Sequence, residues 1–276
     1  MTVSYQGSQY WLHDWDPFVV QFSETWGIRW YGLAYVVGFL TASWLLGFYF
    51  KRGRSPMDQE RRFNALVVLI LATLAGGRIG YMLLYDLNTL LLAPWKIFKV
   101  WEGGMASHGG IAGLALAIWY LARKHGYSKS KLADIVVTLG PPGIFFGRLA
   151  NFINGELWGK ISTVPWAVVF PTASPPGVPR HPSQLYEAAL EGLFLIIYLQ
   201  LRFWRSSVVR RYPGHLCGEF CLLYGLLRIV GELFREPDAG LILGMNRGIF
   251  YSLFMILAGL GIIYSARRRS GSQPPG

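Results

Sequence analysis

WYGLAYVVGFLTASWLLGFYF, from Trp30 to Phe50, runs 21 residues without a charged side chain and then stops at Lys51, Arg52 and Arg54. As an α-helix, a stretch of this length crosses a hydrocarbon layer about 30 Å thick. It therefore reads as a membrane-spanning helix followed by a cytoplasmic basic loop.

The same pattern recurs outward from it, predicting six further spans: Phe63–Tyr85, Met105–Leu121, Leu132–Ala150, Gln184–Leu201, Gly214–Leu233 and Gly248–Ala266. With 53% hydrophobic and 16% aromatic residues over 276 positions, the chain is too apolar for a soluble domain of this size. A formal charge of +11 would suggest nucleic acid if the cations formed one patch. Instead, 16 of the 26 Lys and Arg lie in the loops after spans one, three and five and in the tail, six lie in the alternate segments, and four lie within or at the ends of spans. That alternation describes topology, and nucleic acid is not expected as a partner. It places the N-terminus outside and the C-terminus in the cytoplasm.

Residues 1–25 contain Asp14 and Asp16 but no Lys or Arg, so they are free to lie outside. They show no basic segment followed by an apolar run and a cleavage site, so no removable signal peptide is expected. The segment 151–182 contains Pro165, Pro171, Pro175, Pro176, Pro179 and Pro182, which exclude a helix over its second half. The expected fold is an all-α polytopic membrane protein of seven transmembrane helices, one integral-membrane domain over 1–276. Residues 151–182 form a small irregular periplasmic cap, with Trp166–Phe170 a candidate short strand. Cys217 and Cys221, four apart in an apolar run, read as small buried hydrophobes, because a disulfide across one helical turn would be strained.

The candidate site lies in GPPGIFFGRLANFINGELWG, Gly140 to Gly159, where Arg148, Asn151 and Glu156 stand among Phe, Ile, Leu and Trp. An arginine at membrane depth costs about 2.5–3.5 kcal/mol on insertion scales, which suits a cation facing a polar cavity or an anionic ligand. The alternative is a helix-end arginine snorkelling to the headgroups. Under the predicted topology, however, Tyr31, Arg78, Tyr81, His108, Arg148, Asn151, Glu187, Arg228 and Glu232 all fall toward the outer half of the membrane, on spans of opposite direction. Scattered snorkelling residues would not gather in one leaflet. Several arginines partly offset by Glu156, Glu187 and Glu232 ask for an anion, and guanidinium forks suit phosphate oxygens. A phospholipid headgroup is the anion at hand.

His108, in GGMASHGG, is a candidate general base near neutrality, or a helix-end histidine bonded to a carbonyl. HPSQLYE reads either as part of the site or as a helix start with Ser183 as its cap. YGLLRIVGELFREPD puts Tyr224, Arg228, Glu232 and Arg235 on one helix face, with an internal ion-pair ladder as the alternative.

IRWYGL, GGRIGY, GGMASHGG, GRLANFINGELWG, HPSQLYE and RIVGELFREPD, in this order over nearly the whole chain, closely resemble the prolipoprotein diacylglyceryl transferase family of bacterial inner membranes. The resemblance implies transfer of the diacylglyceryl group of phosphatidylglycerol to the lipobox cysteine of a preprolipoprotein signal peptide. A thioether forms and glycerol phosphate is released. The family's functional positions fall on His108, Arg148, Asn151, Glu156, Tyr224 and Arg228, with no departure at any of them.

The expected catalytic set is His108, Tyr224, Arg228 and Glu232. The expected binding set is Tyr31, Arg78, Tyr81, Arg148, Asn151, Glu156, Gly159, Glu187 and Arg235, with membrane lipids around them. A thiol with pKa about 8.5 is mostly protonated at neutral pH, so His108 is expected to take its proton while Arg148 and Arg228 hold the departing phosphate and Glu156 or Glu232 orients an arginine. No metal and no cofactor is expected. A transporter or flippase for an anionic lipid or solute is the alternative; it would predict matching sequence halves and polar residues spread through both leaflets, and neither is visible.

Overall fold

The computed structural model describes residues 1–23, 27–99, 104–237 and 240–271, with nothing to be said of the side chains of Leu84, Ser107, His108 and Ser270. The chain folds as two compact units, Met1–Thr41 with Val137–Gly276, and Ala42–Val136. Helix α1 (Trp30–Lys51) runs from the first into the second.

In the smaller unit, α2 (Gln59–Tyr85) starts where Asp58 accepts a hydrogen bond from the Arg61 amide at 2.9 Å. A carboxylate at a helix start satisfies an orphan N–H and suits the helix dipole. Asp86 ends α2 and caps the short α3 (Leu87–Leu92), and a 3₁₀ turn follows at Pro94–Phe98. Helix α4 (Ser107–His125) ends at Gly126, whose φ of 69° lets the Tyr127 amide turn back to the Ala122 carbonyl. Helix α5 (Lys129–Val136) closes the unit.

Helices α2 and α4 pack through Gly76 and Gly80 on one side and Gly109 and Gly113 on the other. A methyl group on Gly109 would strike the Gly76 carbonyl and lie 2.8 Å from Gly80 Cα. With no side chains between them, the two backbones touch directly, as apolar helices do in lipid.

The larger unit holds α6 (Gly140–Ile153), α7 (Ser183–Glu187), a π-helical stretch at Ala188–Phe194, α8 (Leu195–Arg205), α9 (Ser207–Arg211), α10 (His215–Glu232) and α11 (Arg247–Gly271). By length and composition, Trp30–Lys51, Gln59–Leu83, Lys129–Ile153 and Arg247–Arg269 are apolar enough to cross a membrane. The expected third, fifth and sixth spans are helical too, as α4, the run from α7 to α8, and α10, but they fall outside that set. The fifth carries Glu187 and Glu191, the sixth Glu219, Arg228 and Glu232.

The all-α expectation needs correction, because the chain also holds two small sheets, one of which takes Val168–Val169 from the expected strand Trp166–Phe170. Strands β1 (Thr2–Tyr5) and β2 (Ser8–Leu12) form a hairpin whose two-residue turn, Gln6-Gly7, has both φ angles positive, at 50° and 80°. Strand β5 (Val168–Val169) pairs in parallel with β2, and β6 (Pro179–Arg180) pairs with β5, giving the order β1-β2-β5-β6. A separate hairpin joins β3 (Phe18–Gln21) to β4 (Gly27–Arg29).

One apolar cluster of this sheet contains Tyr10, Ala167 and Val169; the other contains Val168, Phe170 and Ala173 with Phe152 from the end of α6. His13 is enclosed there by Trp11, Trp15, Phe152 and Phe170, with ring centroids 5.3–5.9 Å away. The N-terminal segment thus latches this sheet onto the helix that carries Arg148. Cys217 and Cys221 are free thiols, half-buried on α10.

Candidate active site

Arg148 lies on α6, Glu187 ends α7, Glu191 lies in the π-helical stretch, and Arg228 and Glu232 lie on the last two turns of α10. These separate elements deliver their charges to one ring. Arg148 Nη1 is 2.9 Å from Glu187 Oε2, and its Nη2 is 3.3 Å from Glu191 Oε2. Arg228 Nη1 is 2.9 Å from Glu187 Oε1 and 3.2 Å from Glu191 Oε1. Cation and anion alternate around the ring, so each guanidinium is flanked by carboxylates and like charges are kept apart. Arg235, just past α10, reaches Glu187 at 3.2 and 3.3 Å. Arg228 Nη2 also bonds Glu232, whose other oxygen accepts from Asn246 Nδ2 at 3.2 Å.

The balance of charge does not make the cluster neutral to its surroundings. The Glu187 and Glu191 side chains have no exposed surface, whereas 17% of the Arg148 side chain and 13% of the Arg228 side chain remain exposed. A guanidinium has five N–H donors, and Arg148 directs one from each terminal nitrogen at the glutamates. What the ring leaves exposed is therefore guanidinium and rich in donors, while its carboxylates are buried. Such a surface fits a phosphate or the charge that develops on a departing phosphate ester.

Next to the ring, Asn151 Nδ2 donates to Glu156 Oε1 at 2.7 Å, and Gln184 Nε2 holds the Glu156 backbone carbonyl at 2.7 Å. Tyr31 packs edge-on against Tyr35, 5.2 Å between centroids, and Tyr35 lies within electrostatic range of Glu156. Tyr224 lies within the field of Glu191, Arg228 and Arg148.

Gly159 is a backbone position: it bridges to Arg235, donates to the His181 carbonyl at 2.9 Å, and has no room for a methyl group between that carbonyl and the Phe234 carbonyl. Ser183 does not cap α7, which has Pro182 at its cap position; its hydroxyl donates to the Leu157 carbonyl at 3.0 Å. The ladder reading of α10 holds for Arg228 and Glu232 alone, since Arg235 turns to Glu187.

In the smaller unit, buried Arg78 donates to the carbonyls of Lys96 at 2.7 Å and Gly104 at 3.3 Å, which fixes the approach to α4. Tyr81 stacks on Tyr85 at 5.7 Å and packs under Gly104. His108 lies in the first turn of α4, and its side chain, like Asp238 of the last motif, is outside the described residues.

Glu191 and Asn246 were not among the expected site residues. Glu191 follows Glu187 by four positions in HPSQLYEAALE, so helical spacing carried the signal. Asn246 had none, because it reaches Glu232 across a loop.

Residues 17–265 match the family described as prolipoprotein diacylglyceryl transferase. The chain is 45% identical over 266 residues to the phosphatidylglycerol–prolipoprotein diacylglyceryl transferase of Rhodospirillum rubrum, covering 95% of this chain and 96% of that one. It is 44% identical to the enzyme of the same name from Zymomonas mobilis, over 88% of this chain and 85% of the relative. The one from Nitratidesulfovibrio vulgaris is 48% identical over 77% and 79%. The motif order, the apolar helices and these matches over most of the chain agree: the chain belongs to the prolipoprotein diacylglyceryl transferase family.

Proposed function

We propose that this protein transfers the diacylglyceryl group of phosphatidylglycerol to the lipobox cysteine of prolipoproteins, the first step of bacterial lipoprotein maturation. The observation that carries this reading is the exposed guanidinium surface of the Arg148–Glu187–Arg228–Glu191 ring, matched to a lipid phosphate. We read the chain as seven spans in the bacterial inner membrane, N-terminus outside and C-terminus cytoplasmic, with the reaction in the periplasmic leaflet and the sheet as a periplasmic cap.

The chemistry balances without a cofactor. The cysteine sulfur bonds to the terminal glycerol carbon of the diacylglyceryl group, the bond from that carbon to the phosphate oxygen breaks, and glycerol phosphate leaves with the electron pair. The thiol proton passes to a base, the role assigned to His108. Arg148 and Arg228 hold the charge that grows on the phosphate. Removing one such contact costs about 10²–10³ in kcat in other enzymes.

The reading is tested by incubating the purified full-length chain with phosphatidylglycerol and a fluorescent lipobox peptide, and weighing the product. A peptide heavier by one diacylglyceryl group, stable as a thioether, is expected; an unmodified peptide overturns the reading. His108→Asn is expected to lower turnover about 10²–10⁴-fold, and near-normal turnover would remove His108 as the base.

A further inference from the structure

We propose that Glu191 is a positioning residue for the transfer, its two carboxylate oxygens setting the plane of the Arg148 guanidinium and its spacing from that of Arg228. This rests on the reading that those arginines hold the lipid phosphate. Glu191 has no exposed surface and so touches neither lipid nor peptide; its contacts are with the arginines. Oε2 takes Arg148 at 3.3 Å and Oε1 takes Arg228 at 3.2 Å, one oxygen for each.

Glu187 alone would leave the Arg148 guanidinium poorly fixed, whereas Arg228 has Glu232 on its second terminal nitrogen. Glu187 meets Arg148 through Nη1 only, and a planar group held at one corner can swing about that contact. Glu191 on Nη2 supplies the second point, and two points on one edge fix the direction of the remaining donors. Glu187 is also shared with Arg235, which draws on both of its oxygens. Without Glu191, three guanidiniums would face two carboxylates, and repulsion between Arg148 and Arg228 would spread them.

The backbone is shaped for this contact. Glu191 lies in the π-helical stretch Ala188–Phe194, which follows Glu187 directly and buries its side chain. Gly192 lets the stretch press on α6, since a methyl group there would lie 2.7 Å from Phe145 Cα. Gly231 of α10 faces the same pair, and a methyl group there would make ordinary contact with Glu187 Cγ at 3.4 Å and Glu191 Oε1 at 3.5 Å. The two helices that carry the arginines thus close on the residue between them.

The test compares wild type, Glu191→Gln and Glu191→Asp as full-length folded protein, measuring kcat and peptide KM for thioether formation from phosphatidylglycerol. Glu191→Gln keeps the shape and removes the charge; kcat per folded molecule is expected to fall about 10- to 100-fold. Peptide KM should stay within about twofold, because an interaction made in the transition state has been lost. Glu191→Asp should recover part of the loss. A purely structural role would lower the yield of folded protein and leave kcat per folded molecule alone, which overturns the proposal, as does Glu191→Gln turning over like wild type. If Glu191→Gln does not fold, Glu191→Asp decides: lowered kcat at constant KM supports positioning, and unchanged kcat refutes it. Absence of product with wild type would instead overturn the transfer reading, and this inference with it.

Discussion

The larger unit and the smaller one each bring helices into close contact, by opposite means. At the ring, α6, the π-helical stretch and α10 are joined by long charged side chains whose carboxylates are completely buried. At the seam between α2 and α4, they are joined by the lack of side chains, with Gly109 against Gly76 and Gly80. A glycine seam tolerates no added atom, yet it asks for no partner at a distance in sequence. An ionic ring tolerates shape changes at its exposed rim but depends on every member to balance the others. The ring has the more breakable design, and it is where the proposed transfer would hold its phosphate.

The largest effect is therefore expected from Glu187→Ala. It removes the carboxylate shared by Arg148, Arg228 and Arg235 and leaves guanidiniums buried beside one another. Loss of one partner from a buried pair costs about 3–5 kcal/mol, to be read from denaturant or thermal unfolding in detergent. A loss under about 1 kcal/mol would mean that the arginines are solvated enough to stand alone. Arg228→Gln comes next, expected to lower kcat about 10²–10³-fold, an effect equivalent to about 3–4 kcal/mol of barrier. Single-turnover thioether formation measures it.

The seam gives a smaller and more local test. Gly109→Ala drives a methyl group into the Gly76 carbonyl, with backbone on both sides, and should cost about 1–3 kcal/mol. Gly110→Ala, one position on, meets only Thr73, at 3.5 Å and beyond, and should be neutral or stabilising by up to about 1 kcal/mol. Thermal unfolding of the pair checks both. Equal melting points would show that α2 and α4 do not pack through this face.

Much of this contrast was legible in the sequence and part of it was not. Uncharged runs gave α1 and α11 nearly to their ends, because in lipid the hydrogen bonds of a span are all local. Arg148, Arg228, Glu187 and Glu232 were marked by charge in apolar surroundings. What charge at a given depth could not tell is which arginine meets which glutamate, or that Glu187 and Glu191 are completely buried. Those are pairings over 37 to 48 residues. Of the sheet, only β5 was expected, inside Trp166–Phe170; its partners were missed for a different reason. The Gln6-Gly7 turn between two alternating segments was a readable hairpin signal, but β2 finds its parallel partner β5 from a segment far along the chain.

The finest test concerns the latch between that sheet and α6. Burial among aromatic rings pushes the His13 imidazole below its ordinary value of 6.5; a backbone hydrogen bond to Phe152 and the charge of Asp14 oppose the shift without cancelling it. Burial and the nearby Lys160 ammonium push His181 the same way. For both, the unfolded chain takes up protons more readily than the folded one, so between 6.5 and the lower folded value the unfolded state binds more of them. Stability is then full above pH 6.5 and declines as the pH falls through the folded values. Hydrogen-exchange protection of the β1 and β2 amides, corrected for the intrinsic slowing of exchange in acid, should fall below pH 6.5 in wild type, while His13→Phe, which keeps an aromatic ring in the cage and cannot titrate, should weaken that dependence. An unchanged acid response in His13→Phe would assign it to His181 or elsewhere, and would remove the latch from the acid-sensitive parts of the molecule.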